Sequence, residues 1–225
     1  MSSHGEAPGG MDVDIDFGAQ VWTADGYMIG LVSGVVLDPD RRAVSHLVVR
    51  YGLAVTVDRV VPVAAVAQVR GHRVQLDLTA PELGDMPELE ERAYIPLTGI
   101  ETGTAEHPAE SAPGLWTRTP AIALQYLVSD HTTDQANVVE VWRSVPEGSL
   151  VLREGTAVRA RDGRRVGSLK EVVMHLPTGA LVDVVVTRGA HVKAIPAVWI
   201  EEGDEKTGIV LAVDRRAVAE LPDYH

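Results

Sequence analysis

Residues 17–30 read Phe-Gly-Ala-Gln-Val-Trp-Thr-Ala-Asp-Gly-Tyr-Met-Ile-Gly, and residues 154–167 read Glu-Gly-Thr-Ala-Val-Arg-Ala-Arg-Asp-Gly-Arg-Arg-Val-Gly. Held without gaps from Gly18 to Gly52, the offset of 137 positions gives 11 identities in 35, among them Asp25/Asp162, Gly26/Gly163, Gly30/Gly167 and Gly52/Gly189. Past that last glycine the offset shortens by three, so that Val61-Pro62-Val63 meets Ile195-Pro196-Ala197. Val74–Leu78 then meets Ile209–Val213, and Met86-Pro87 meets Leu221-Pro222. A loop changed length while its flanks kept their pattern, as expected of one unit of about 70 residues present twice.

Within each unit the pattern is that of strands. Asp-Gly between extended segments predicts a two-residue hairpin turn with both central residues at positive φ. Asp25, Gly26, Asp162 and Gly163 are therefore turn residues. The runs Gly30–Asp38 and Val44–Arg50, with their counterparts Gly167–Met174 and Leu181–Val186, form a second, valine-rich hairpin in each unit. Their consecutive apolar residues call for burial on both faces or a tightly coiled sheet, and closing such a sheet on itself removes its edges. Gly30, Gly34 and Gly167 mark bulges or close backbone approach. Pro62 and Pro196 cannot donate to a central ladder, so they start a strand or lie on an edge. Ala80–Met86 and Asp214–Leu221 read as short closing helices, the second with an aspartate at its N-cap.

This ordered set of features, present twice, resembles the PRC-barrel family: Asp-Gly, three residues, Gly, a valine-rich strand, a turn, a second valine-rich strand, Gly, a loop, apolar-Pro-apolar and a closing Leu-Pro-like helix. The resemblance implies an all-β fold of two small antiparallel PRC-type β-barrels in tandem, each with a short C-terminal helical turn. It divides the chain into a disordered arm (1–12), a first barrel repeat (13–95), a linker with short ordered segments (96–147) and a second repeat (148–225). Relatives include the cytoplasmic part of a photosynthetic reaction-centre H subunit and the C-terminal domain of a ribosome-maturation factor. Both act largely by binding other proteins, so the resemblance implies a binding role.

Bulk composition narrows the function further. The 225 residues are 45% apolar but only 4% aromatic, so the core is built from Val, Leu, Ile and Ala. A formal charge of −12 repels phosphate backbones and argues against nucleic acid as a partner. The cluster Arg159, Arg161, Arg164 and Arg165 reads as a solvated hairpin rim. Without cysteine there is no disulfide, thiol nucleophile or thiolate metal site. No signal peptide or membrane-spanning run is visible, and a cytoplasmic location is the expectation.

The linker, rich in Gly, Pro, Thr and acid, reads as a flexible connector. Trp116, Tyr126 and Trp142 lie between the units and are candidate interface residues, since aromatics are enriched at binding hot spots. The histidines carry no metal-ligand spacing, and His46 and His175 align with Asp183 and Asp38, so neither copy repeats the other's chemistry. Glu90-Glu91 and Glu201-Glu202 read as solvated loop pairs. No catalytic residue, cofactor or metal is expected. The chain reads as an interaction or scaffold module for another protein, with self-association as a side expectation. The alternative is an auxiliary small-ligand or cofactor-associated factor of an electron-transfer or photosynthetic-type assembly.

Overall fold

The computed structural model describes residues 10–52, 56–96, 119–121, 137–204 and 207–224. It divides into two compact units, one made of residues 1–87 and 148–225 and one of residues 88–147.

The larger unit holds both copies of the repeat. β1 (Met11–Asp16) leads into the first, which continues as β2 (Gln20–Trp22), β3 (Met28–Asp38), β4 (Ala43–Tyr51) and β5 (Val57–Pro62). A 3-10 turn, Val63–Ala65, then leads to β6 (Val66–Arg70), β7 (Arg73–Leu76) and a short helix, α1 (Ala80–Gly84). Among its described residues the smaller unit forms a three-stranded antiparallel sheet of β8 (Glu90–Pro96), β9 (Thr119–Ala121) and β10 (Asn137–Arg143), with β10 central. The second copy repeats the first: β11 (Leu150–Leu152) leads into β12 (Ala157–Arg159), β13 (Arg165–Leu176), β14 (Ala180–Arg188) and β15 (His191–Pro196). The 3-10 turn Ala197–Trp199, β16 (Ile200–Asp204), β17 (Gly208–Leu211) and α2 (Arg215–Glu220) complete it. The expected all-β class is thus what the chain adopts.

Each copy orders its strands identically. In the first, β5, β4, β3, β2, β7 and β6 are neighbours in that sequence, and β2 meets β7 in parallel, with Val21 opposite Val74. The second pairs β12 with β17 in the same way, Val158 opposite Ile209. These parallel contacts bring the start of each repeat beside its end, within a sheet that does not close on itself. Pro62 and Pro196 close β5 and β15 at the outer side of the ladder, where a missing N–H costs least. Leu83 of α1 and Val218 of α2 are buried against the core. In α1 the Glu82 carboxylate accepts the Thr79 N–H at 2.8 Å, the reciprocal half of a capping box.

Two features depart from the expected pattern. The Asp-Gly turns are longer than two residues: the Thr23 N–H donates to the Tyr27 carbonyl at 3.0 Å, and of the central residues only Gly26 has positive φ, 86°. Gly163, at 76°, repeats this. A glycine in the left-handed region closing a three-residue loop matches the strand twist without a second residue at positive φ. The acidic pairs also differ, since Glu90 and Glu91 begin β8 and Glu201 and Glu202 lie within β16. A register shift between Ile200 and Glu202 lets both glutamates be exposed beside the buried Ile200.

The lead-in strands are exchanged between copies. β1 precedes the first copy but pairs with β13 of the second, Val13 opposite Met174 and Ile15 opposite Val172. β11 precedes the second copy but pairs with β3 of the first, Leu150 opposite Leu37 and Leu152 opposite Val35. Every one of these pairings maps onto its counterpart at the repeat offset. The same symmetry holds where the long hairpins meet: the Val44 N–H donates to the Gly179 carbonyl at 2.7 Å and the Leu181 N–H to the Arg42 carbonyl at 2.8 Å. One 14-stranded sheet therefore runs through both copies, and one apolar cluster includes Ile15, Leu152, Leu47 and Val184. The Gly30 and Gly167 positions tolerate no side chain, because a Cβ would collide with the carbonyls of Arg50 and Thr187 on the facing strands.

Ile15 and Leu152 are both fully buried. Truncating either to alanine is expected to cost about 2–5 kcal/mol. Because each strand completes the other copy's core, urea unfolding of both variants, followed by circular dichroism and tryptophan fluorescence, should show one shifted transition rather than loss of one half.

Candidate functional site

The turn residues are structural in their contacts. Asp25 accepts the Ala80 N–H at 3.3 Å, holding the start of α1 against the β2–β3 hairpin. Asp162 accepts the Arg164 N–H at 3.0 Å within its own turn. Gly30 and Gly167 lie just past those turns, where the strands come closest.

What differs between the copies is the surface these turns carry. On the first, Trp22 lies opposite Met28, and Gln20 lies opposite both Leu31 on β3 and Arg73 on β7. The Arg73 guanidinium stacks on the Trp22 ring, 3.9 Å from its centroid, and the Trp22 indole N–H donates to Gln20 Oε1 at 3.3 Å. Tyr27, Met28 and Leu31 beside them are 63%, 48% and 42% exposed. At the matching places of the second copy stand Arg159, Arg164, Arg165 and Ser168. Arg159 donates to the Gly163 carbonyl at 3.1 Å and Arg165 to Ser168 Oγ at 2.7 Å, so this rim is partly held by its own hairpin. One fold thus carries an apolar aromatic face at one hairpin and a cationic one at the other.

The exchanged strands differ as well. Alternation along β1 turns Val13 and Ile15 into the core and leaves Asp12, Asp14 and Asp16 on the other face. Each aspartate is held by a different element. Asp12 contacts His175 Nδ1 at 2.8 Å, Asp14 accepts the Tyr224 hydroxyl at 3.0 Å, and Asp16 contacts His72 Nδ1 at 2.8 Å. Burial, with the Asp14 carboxylate beside it, pushes the Tyr224 hydroxyl up to about 12, so it remains a donor. Opposite Asp16 lies Glu171, 6% exposed. Burial, then the hydrogen bond and charge of Asp16, push its carboxyl up to about 7, against the weaker opposing pull of Lys170 at 3.8 Å. Burial together with Asp12 and Asp14 also raises Asp183. In the first copy the Glu171 position is Gly34, and the counterpart of Asp16 is Arg153, which pairs with Asp58 at 2.9 Å. His46, the counterpart of Asp183, is driven down to about 4 by burial and stays neutral.

No group of three or more His, Asp or Glu able to hold a metal ion occurs among the described residues. Trp116 and Tyr126 lie outside the described residues; Trp142 sits in β10, in register with Glu91 and Pro120. Sequence reasoning missed the Trp22, Tyr27, Met28 and Leu31 face, although aligning the two repeats places apolar residues against arginines at three of those positions. It also missed Glu171, whose signal was a carboxylate inside an otherwise apolar strand. No family model and no curated protein matches the chain.

Because Glu171 has a folded-state value of about 7, above that of an unfolded glutamic acid, its ionisation opposes folding. Stability from this group is complete below about pH 4.5 and declines as pH rises through about 7. Glu171→Gln removes the loss. Thermal melts across pH should therefore show the variant's advantage over the parent smallest near pH 4 and grown to its full size near pH 8.

Proposed function

We propose that the chain is a protein-interaction scaffold built from two PRC-type barrels in tandem, docking its partner on the β2–β3 hairpin of the first copy. The barrel reading is supported by the strand order repeated in both copies. It is supported too by the parallel contact that ties first strand to last, which leaves β5 and β6 as ladder ends joined only by the 3-10 turn. The observation that carries the docking reading is the exposure of Tyr27, Met28 and Leu31 side by side with Trp22. Exposed apolar side chains occur singly on any surface, whereas a contiguous group rimmed by polar residues is characteristic of a binding face. Here Gln20, Gln75, Arg73 and Arg50 provide that rim, and the aromatic side chains provide the rigid area that anchors use. The pseudo-equivalent hairpin carries arginines at the corresponding places, so the apolar character is not a demand of the fold.

Tyr27→Ser/Leu31→Ser tests this reading. The double variant should fold, since both side chains are exposed, and should lose a specific protein that the parent captures from its native cell. That protein, once purified, should slow hydrogen exchange at residues 26–31 of the parent and leave the variant unaffected. An identical captured set from both proteins, or protection confined to other segments, refutes it. Sedimentation of the parent alone shows whether a second copy takes the partner's place.

A further inference from the structure

A second difference between the copies lies beneath their closing helices. In the first copy Tyr51, at the end of β4, reaches from the sheet to α1, its hydroxyl 3.9 Å from where a Cβ on Gly84 would lie. Its ring packs against the core. The corresponding residues in the second copy are Arg188 and Ala219. Arginine at the end of β14 turns to solvent, and the space beneath α2 stays open as a cleft of about 250 Å³.

The lining of this cleft is two-sided. Val166, Val186 and Val218 are buried and form an apolar floor. The rim is cationic, and its members are not equally committed. Lys193 is occupied: its ammonium donates to the Leu221 carbonyl, as Arg59 does to Met86 in the first copy, and pairs with Asp223 at 3.0 Å. The same carboxylate lies 3.6 Å from His191. Its pKa is lowered chiefly by the hydrogen bond from Lys193, so it remains a fixed anion there. Arg188 and Arg215 have no ion-pair or hydrogen-bond partner among the described residues. In the first copy the Arg215 position is Ala80, so both guanidiniums are particular to the copy that has the cleft.

We propose that the cleft between α2 and the β13–β15 face binds a small amphipathic carboxylate, its apolar tail on Val166, Val186 and Val218 and its headgroup between Arg188 and Arg215. Planar guanidinium forks match a carboxylate in geometry as well as charge. An anion is the complementary ligand, since two positive charges without partners flank an apolar floor in a chain of net charge −12. Ligand clefts for drug-sized molecules begin at roughly 300 Å³, which limits the occupant to a short chain or a single ring. The site is remote in kind from the docking hairpin: it needs no partner protein, and neither reading depends on the other.

Sodium octanoate is the probe, titrated into the full-length, nitrogen-15-labelled chain and followed by amide chemical shifts. The expected result is saturable movement at Val186, Arg188, Val218 and Ala219, with 1-octanol and acetate each binding at least about tenfold more weakly because each lacks one half of the match. Arg188→Gln and Arg215→Gln should each weaken octanoate binding about three- to tenfold. Arg188→Tyr, which restores the residue of the first copy, should abolish it while preserving the dispersed spectrum of the fold. Octanol binding as tightly as octanoate, unchanged affinity in Arg188→Tyr, or shifts confined to other parts of the chain would overturn the proposal.

Discussion

The constraint on which the larger unit depends is backbone pairing across the copies. A three- to six-residue strand cannot hold its place by local preference; it needs a ladder beside it and a core beneath it. β1 and β11 find their ladder in the opposite copy, with Ile15 opposite Val172 and Leu152 opposite Val35, and their core in the apolar cluster that both copies share. The paired hydrogen bonds between Val44 and Gly179 and between Leu181 and Arg42 fix the two halves at the centre. Once these contacts form, neither copy has a complete core of its own.

That interdependence protects the shared frame and leaves the surface free to diverge. Positions that meet the facing strand, Gly30 and Gly167, are identical, and core positions such as Val35/Val172, Leu47/Val184 and Val49/Val186 stay apolar. Other positions differ in chemistry: Trp22 against Arg159, Gly34 against Glu171, Tyr51 against Arg188. Each difference changes the local physics. The first exchanges apolar area for charge, the second puts an ionisable group under the exchanged strand, and the third opens a cleft where the other copy is filled.

Much of the frame was legible from residues alone because it is written in local signals. Asp25-Gly26 marks a turn, alternation and valine runs mark strands, and self-similarity doubles the unit. The exchange was not legible, since β11 is only Leu150-Val151-Leu152 and nothing in three apolar residues specifies which of two like ladders it joins. Turn length escaped for a related reason: Asp-Gly serves two-residue and longer hairpins alike, and the hydrogen bond from Thr23 to Tyr27 decides between them. Glu201 and Glu202 looked like a loop because adjacent charges are usually solvated, yet an edge strand with exposed side chains satisfies them equally well. The cleft under α2 depends on the reach of one side chain at position 188, a matter of depth that pattern does not record.

The near-equivalence of the two halves about the Ala43 and Ala180 contact has a further consequence. The geometry is that of a strand-swapped homodimer whose two chains have been made into one. As separate molecules the halves would have to meet by diffusion, and their folding would weaken on dilution. Covalent connection turns that second-order encounter into an intramolecular one, with the tether supplying the effective concentration.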